Sequence, residues 1–178
     1  MNTLLKISGI FHVICTYFAR FVGWLLLVLT AVILYDVIGR KFFATGSFKL
    51  QELEWHLHGA IAMLGFGYAY IRNAHVRIDI FAGLMSCRFK LKLEIAGIVL
   101  FLVPFMLLVA WFGFEFAERA YQRGETSNGG LGLSHRWIIK SVIPLSAILS
   151  ILGGLSVAIR CLAALRHPGR FDNPLEPR

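Results

Sequence analysis

Four long stretches of the chain carry no Asp, Glu, Lys or Arg: residues 21–35, 55–71, 95–114 and 141–159, of 15, 17, 20 and 19 residues. A helix rises 1.5 Å per residue, so roughly 20 apolar residues cross a ~30 Å hydrocarbon core. The first stretch reaches that length only by running to about Gly39, with Asp36 near its end. The pattern predicts an all-α integral membrane protein with four transmembrane helices, at about 20–39, 54–72, 94–116 and 138–160. Ahead of them Ile7, Ile10, Phe11, Ile14, Phe18 and Phe21 recur at helical spacing, with Lys6, Ser8, Thr16 and Arg20 elsewhere. That reads as an amphipathic N-terminal helix over 3–20, lying in the membrane interface or extending the first span. The lack of a small-x-small cleavage site argues against a signal peptide. The whole chain, 1–178, is then one membrane domain, its tail at 161–178.

Composition strengthens this picture. Hydrophobic residues make up 57% of the chain and charged ones 16%, against about 45–50% and about 25% in soluble domains. The net charge of +8 does not imply nucleic acid, because the basic residues sit in short segments beside apolar helices. Paired through four crossings, those segments place 11 Lys and Arg on one side and 7 on the other. The excess assigns both termini to the cytoplasm, and residues 41–51 and 123–135 to the periplasm. Cys15, Cys87 and Cys161 are isolated and read as apolar fillers.

Candidate chemistry is sparse. Asp36 and Arg40 are four apart and can close a helix end as an ion pair. Glu52 and Glu54 open the second helix, where acids complement the helix dipole. His56 and His58 point about 200° apart on a helix and cannot chelate one ion; the other three spans contain no histidine to pair with them across a haem. Pro104, mid-way along the third span, frees a carbonyl and should kink it. The glycines of 123–135 lack the strand before and the GK[ST] after that a phosphate loop needs. In the fourth span Ser146, Ser150, Gly154 and Ala158 recur every four residues, flanked by Ala147 and Gly153. Such a stripe lets a second helix approach closely in lipid. Ala62, Gly65 and Ala69 repeat it in the second span. The neighbour can be in this chain or in another. No catalytic triad, metal-ligand set, broken helix or internal repeat is visible, which leaves holding or docking as the natural roles.

Three ordered segments carry a family resemblance: Tyr35-Asp36-Val37-Ile38-Gly39-Arg40, Gln51-Glu52-Leu53-Glu54-Trp55 and His75-Val76-Arg77-Ile78-Asp79. Together they resemble the small membrane subunit (DctQ-like) of tripartite ATP-independent periplasmic (TRAP) transporters. Gly124-Glu125-Thr126-Ser127, with Arg136, Trp137, Lys140 and Pro144, is similar to the mannitol/chloroaromatic-type branch. The resemblance implies a scaffold subunit of the bacterial inner membrane, not an enzyme, in a sodium-coupled importer of organic acids. It implies a large multi-span permease and a periplasmic substrate-binding protein as partners, besides membrane lipid and without nucleic acid. No cofactor is implied for this chain, and sodium coupling falls to the large subunit. Asp36, Arg40, Glu52, Glu54, His75, Arg77, Glu125, Arg136 and Lys140 are, by the same resemblance, structural or partner-contact residues. Two other readings stay open: a membrane anchor of a haem or quinone oxidoreductase, and a small exporter using Asp36.

Overall fold

The computed structural model describes residues 2–74, 85–127 and 132–168. Its helices are α1 (Asn2–Phe43), α2 (Phe48–Ile71), α3 (Cys87–Gly97), α4 (Val103–Gln122) and α5 (Trp137–Arg166), with a π-helical turn at Ile98–Leu102 joining α3 to α4. Contacts divide the chain into two compact units. One comprises Met1–Tyr17, Phe66–Leu108 and Ala147–Arg178; the other comprises Phe18–Gly65 and Val109–Ser146.

Two expectations are corrected. The N-terminal amphipathic helix is not a separate element. α1 runs unbroken for 42 residues, because nothing around Arg20 supplies a cap or a helix breaker. Its buried positions are also not the apolar face read from the sequence: Ile10 and Phe21 are exposed, while Ser8, Cys15, Leu29 and Asp36 are buried. These four fall on a seven-residue spacing, a narrow seam of the coiled-coil kind.

The second correction concerns the span count. Among the described residues three helices are long and apolar enough to cross a membrane: Thr3–Phe43, Cys87–Gln122 and Trp137–Arg166. α2 is not one of them. Its 17-residue charge-free stretch is diluted by His56, His58 and three glycines, so absence of charge overstates its hydropathy. Without four crossings, the loop charges no longer fix where the termini lie.

α5 is the most buried of the long helices. Within its most apolar stretch 56% of residues are buried, against 11% in α1 and 6% in Cys87–Gln122. In the first unit, Leu91, Ile98, Val157, Ala158 and Cys161 form a core that Tyr70, Ile95 and Leu102 flank. Contact with α5 is close because glycines permit it. A Cβ on Gly67 would collide with the Leu149 carbonyl, and one on Gly153 with the Gly67 carbonyl. Gly154 lies under Leu102, where a Cβ would again be too close. The π turn presents that residue. Pro104 has no N–H for the carbonyl of residue 100, and the chain widens so that the Val103 N–H bonds the Ile98 carbonyl instead. Polar groups lock α1 to α5. The hydroxyls of Ser8 and Ser156 stand 2.9 Å apart, and each donates to the other's carbonyl, at 3.1 and 3.0 Å. The Cys15 thiol reaches the Leu149 carbonyl at 3.6 Å.

Helix ends set the connections. α2 closes with Asn73 in the left-handed region (φ 56°), the Ala74 N–H bonding Ala69 and the Asn73 N–H bonding Tyr70. α4 closes the same way on Gly124 (φ 57°), which suits glycine. α1 ends on Ala44 at φ 51°, where a Cβ is unfavourable by about 1–2 kcal/mol. Ala44→Gly is therefore expected to raise stability in detergent by about 1 kcal/mol. A fall in the unfolding temperature would contradict that account of the turn.

Candidate functional site

The left-handed glycine at the end of α4 turns the chain so that Glu125 leaves the helix beside the start of α5. The Glu125 N–H bonds the Ala120 carbonyl, and the Glu125 carbonyl receives the Arg136 N–H at 3.3 Å. Farther along, the Ser127 N–H bonds the Leu133 carbonyl at 3.1 Å, drawing the connection into a closed loop. Gly132 completes it: a Cβ there would strike both the Glu52 carboxylate and Ser127.

Into this loop α2 inserts a charge. Glu52 Oε2 accepts the Leu133 N–H at 2.7 Å, and the Ser127 side chain bonds the same carboxylate. Glu52 Oε1 lies 3.9 Å from Arg136 Nε and 3.9 Å from His56 Nε2. Arg136 continues the network, its Nη1 3.7 Å from Glu125 Oε1. Lys140 Nζ donates to Glu125 Oε2 at 2.5 Å and sits 3.9 Å from the Phe116 ring centroid. The result is a neutral clamp of two carboxylates and two cations. It fastens α2 to the first turn of α5 through the loop between α4 and α5. Beneath it Gly113 lets α4 approach Ile143 and Pro144 of α5.

The electrostatics follow from this geometry. The Leu133 N–H holds the Glu52 carboxyl below the usual carboxylate range, and the Lys140 ammonium does the same for Glu125. Burial lowers the pKa of His56, against the pull of Glu52, so its imidazole is neutral at pH 7. Both carboxyls bind protons less readily folded than unfolded. Their contribution is present above the ordinary value of 4.5 and lost as pH falls through the folded values. His56 acts in the same sense from 6.5 downward. Amide exchange at Leu133 is expected to be flat, after correction for intrinsic rates, from pH 7 to 8 and to accelerate in acid. Protection that rises on acidification would contradict the clamp.

The structure brings together four of the nine residues singled out by motif: Glu52, Glu125, Arg136 and Lys140. Asp36 and Arg40 form a separate ion pair on α1, with the Asp36 side chain 1% exposed. Glu54 is half-buried, one oxygen lying out of solvent and without a hydrogen-bond partner. His75 and Arg77 lie outside the described residues. Of the small-residue positions, Ser146, Ser150, Gly154 and Ala158 are buried, whereas Ala62 is exposed and nothing lies within 4 Å of a Cβ on Gly65. The packed face of α2 is Ala60, Leu64, Gly67 and Ile71. Sequence reasoning misses Gly67, Ser8, Gly132 and the Leu133 amide. The first two sit on helical seams and can be found from small residues at i, i+3, i+4 or i+7 spacing; the last two carry no local signal.

A cavity of about 520 Å³ adjoins the clamp, with Phe48, Gln51, Trp55 and His56 on its walls beside Glu52 and Arg136. Among the described residues no three His, Cys, Asp or Glu side chains are grouped so as to share a metal ion. The arrangement holds helices together.

No curated protein matches the chain. The family model described as "Tripartite ATP-independent periplasmic transporters, DctQ component" matches residues 29–164. That stretch contains Asp36 and Arg40, all four clamp residues and the buried face of α5, and it is well over half of the sequence. The chain belongs to the DctQ family, the small permease subunits of TRAP transporters.

Proposed function

We propose that this chain is the scaffold subunit of a sodium-coupled, binding-protein-dependent importer of organic acids in the bacterial inner membrane, and that it carries neither substrate nor ion itself. Substrate and sodium bind to a large multi-span permease subunit, and a periplasmic protein delivers the substrate. The mannitol/chloroaromatic-type branch is the narrower assignment within this reading.

One observation carries it. Asp36, Glu52 and Glu125 are each held by a cation or donor of this same chain. A carboxylate that binds a coupling ion must be able to release its partner at each cycle; Glu52 and Glu125 instead fasten helices, and Asp36 is paired within α1. The exposed flanks of α1 and α4 fit the scaffold role. Trp24, Phe105, Trp111 and Phe112 are each at least 60% exposed, as surfaces facing lipid or another membrane protein are. The oxidoreductase-anchor alternative has less support, because His56 faces Glu52 and Arg136 rather than a second histidine.

Extraction of a natively expressed, tagged chain should bring down a much larger membrane protein in fixed ratio. Recovery of this chain alone, from cells that make both, would contradict the proposal.

A further inference from the structure

The cavity beside the clamp has features that packing alone leaves unexplained. Arg136 and Glu52 both line it, their side chains 31% and 16% exposed. Glu52 Oε1 stands 3.9 Å from both Arg136 Nε and His56 Nε2, beyond hydrogen-bond range of about 3.2 Å. A guanidinium and a carboxylate thus line one space, next to the Gln51 amide. Their charges cancel, which disfavours a ligand of net charge and suits one carrying both signs.

The walls add an apolar requirement. Phe48 is 70% exposed and Trp55 71% exposed, although both line the cavity. Phe42 and Phe43, at the end of α1 just before, are exposed to the same degree. A tryptophan beside charged groups, such as Trp55, is of the type enriched at the headgroup level of a bilayer. A volume of about 520 Å³ is within the range of small-ligand sites, about 300–1,000 Å³.

We propose that this cavity binds the headgroup of a zwitterionic phospholipid bearing a primary ammonium. Its phosphate accepts from Arg136 and Gln51, its ammonium donates to Glu52, and its glycerol and first methylenes lie against Phe48 and Trp55. The bound lipid fills the space between the loosely paired Arg136 and Glu52 and covers the exposed rings.

The full chain, delipidated in detergent and returned to vesicles of defined composition, tests this by mass spectrometry of what it retains on re-extraction. From equimolar phosphatidylethanolamine, phosphatidylcholine and phosphatidylglycerol it should keep the first about tenfold over either of the others. The trimethylated headgroup has no N–H to donate, and the anionic one has no ammonium. Trp55→Ala and Gln51→Ala lie outside the clamp and should reduce the amount of phosphatidylethanolamine retained at least threefold with an unchanged unfolding temperature. Equal retention of the three lipids would overturn the proposal, as would an amount of retained phosphatidylethanolamine untouched by both substitutions. Displacement of the lipid by equimolar free glycerophosphoethanolamine would also overturn it, marking the cavity as a site for a water-soluble zwitterion.

Discussion

Leucine at Gly153, or at Gly67, is expected to prevent α2 and α5 from meeting, with a loss of about 3 kcal/mol or more and of most folded protein in detergent. The reason is what the new atoms would strike. A Cβ on Gly153 falls on the Gly67 carbonyl, and a Cβ on Gly67 on that of Leu149. Backbone cannot rotate away as a side chain can, so the helices must separate. In lipid no hydrophobic drive returns them, since packing itself is what holds membrane helices together. Gly65 is the control. It is two residues from Gly67 on the same helix, yet nothing lies within 4 Å of a Cβ there. Gly65→Ala should therefore leave the unfolding temperature unchanged or raise it slightly, through helix propensity. Equal effects at Gly65 and Gly67 would show that the close approach of Gly67 to Leu149 is not what holds the unit.

Glu52→Ala is expected to free the α4–α5 loop. The substitution removes the acceptor of the Leu133 N–H and of Ser127, and one of the two carboxylates beside Arg136. Loss of a hydrogen bond to a charged acceptor costs about 1.5–3 kcal/mol. The damage should stay local: amide exchange at Ser127 and Leu133 should rise at least tenfold, while Gly67 and Gly153 keep their protection. Glu52→Gln keeps an acceptor oxygen without the charge and should fall between alanine and wild type. Uniform loss of protection along the chain would mean that the clamp is part of the global fold rather than a local fastening. Unchanged exchange at Leu133 would remove the clamp altogether.

The helices are legible in the sequence, but their faces are not. In water the buried face of a helix is the apolar one, and that rule turns Ile10 and Phe21 inward. Here nearly every face is apolar, and burial follows size and hydrogen bonding instead: Ser8 and Cys15 are buried, Ile10 and Phe21 exposed. The fourth-span stripe is readable because small residues at Ser146, Ser150, Gly154 and Ala158 stand out against large neighbours. In α2 the same rule selects Gly65 over Gly67, since both are glycines and only the position of α5 separates them. α2 passes for a span for a related reason: a stretch without charges is not yet a stretch apolar enough for lipid.

The clamp is half legible. Glu52, Glu125, Arg136 and Lys140 can be singled out by motif, and an acid at the start of a helix already has a local explanation in the helix dipole. That explanation hides the real partner, because the Leu133 amide is 81 residues away and any residue but proline offers such a donor. Gly124 is visible as a turn, though not as the residue that aims Glu125 at Lys140.

The central claim is that this chain holds a transporter together without transporting. It is tested most directly in liposomes under an inward sodium gradient, with the chain alone, with the large permease subunit, and with both that subunit and the periplasmic binding protein. Uptake of an organic acid is expected only in the last case. Sodium-driven uptake by this chain alone would contradict the account.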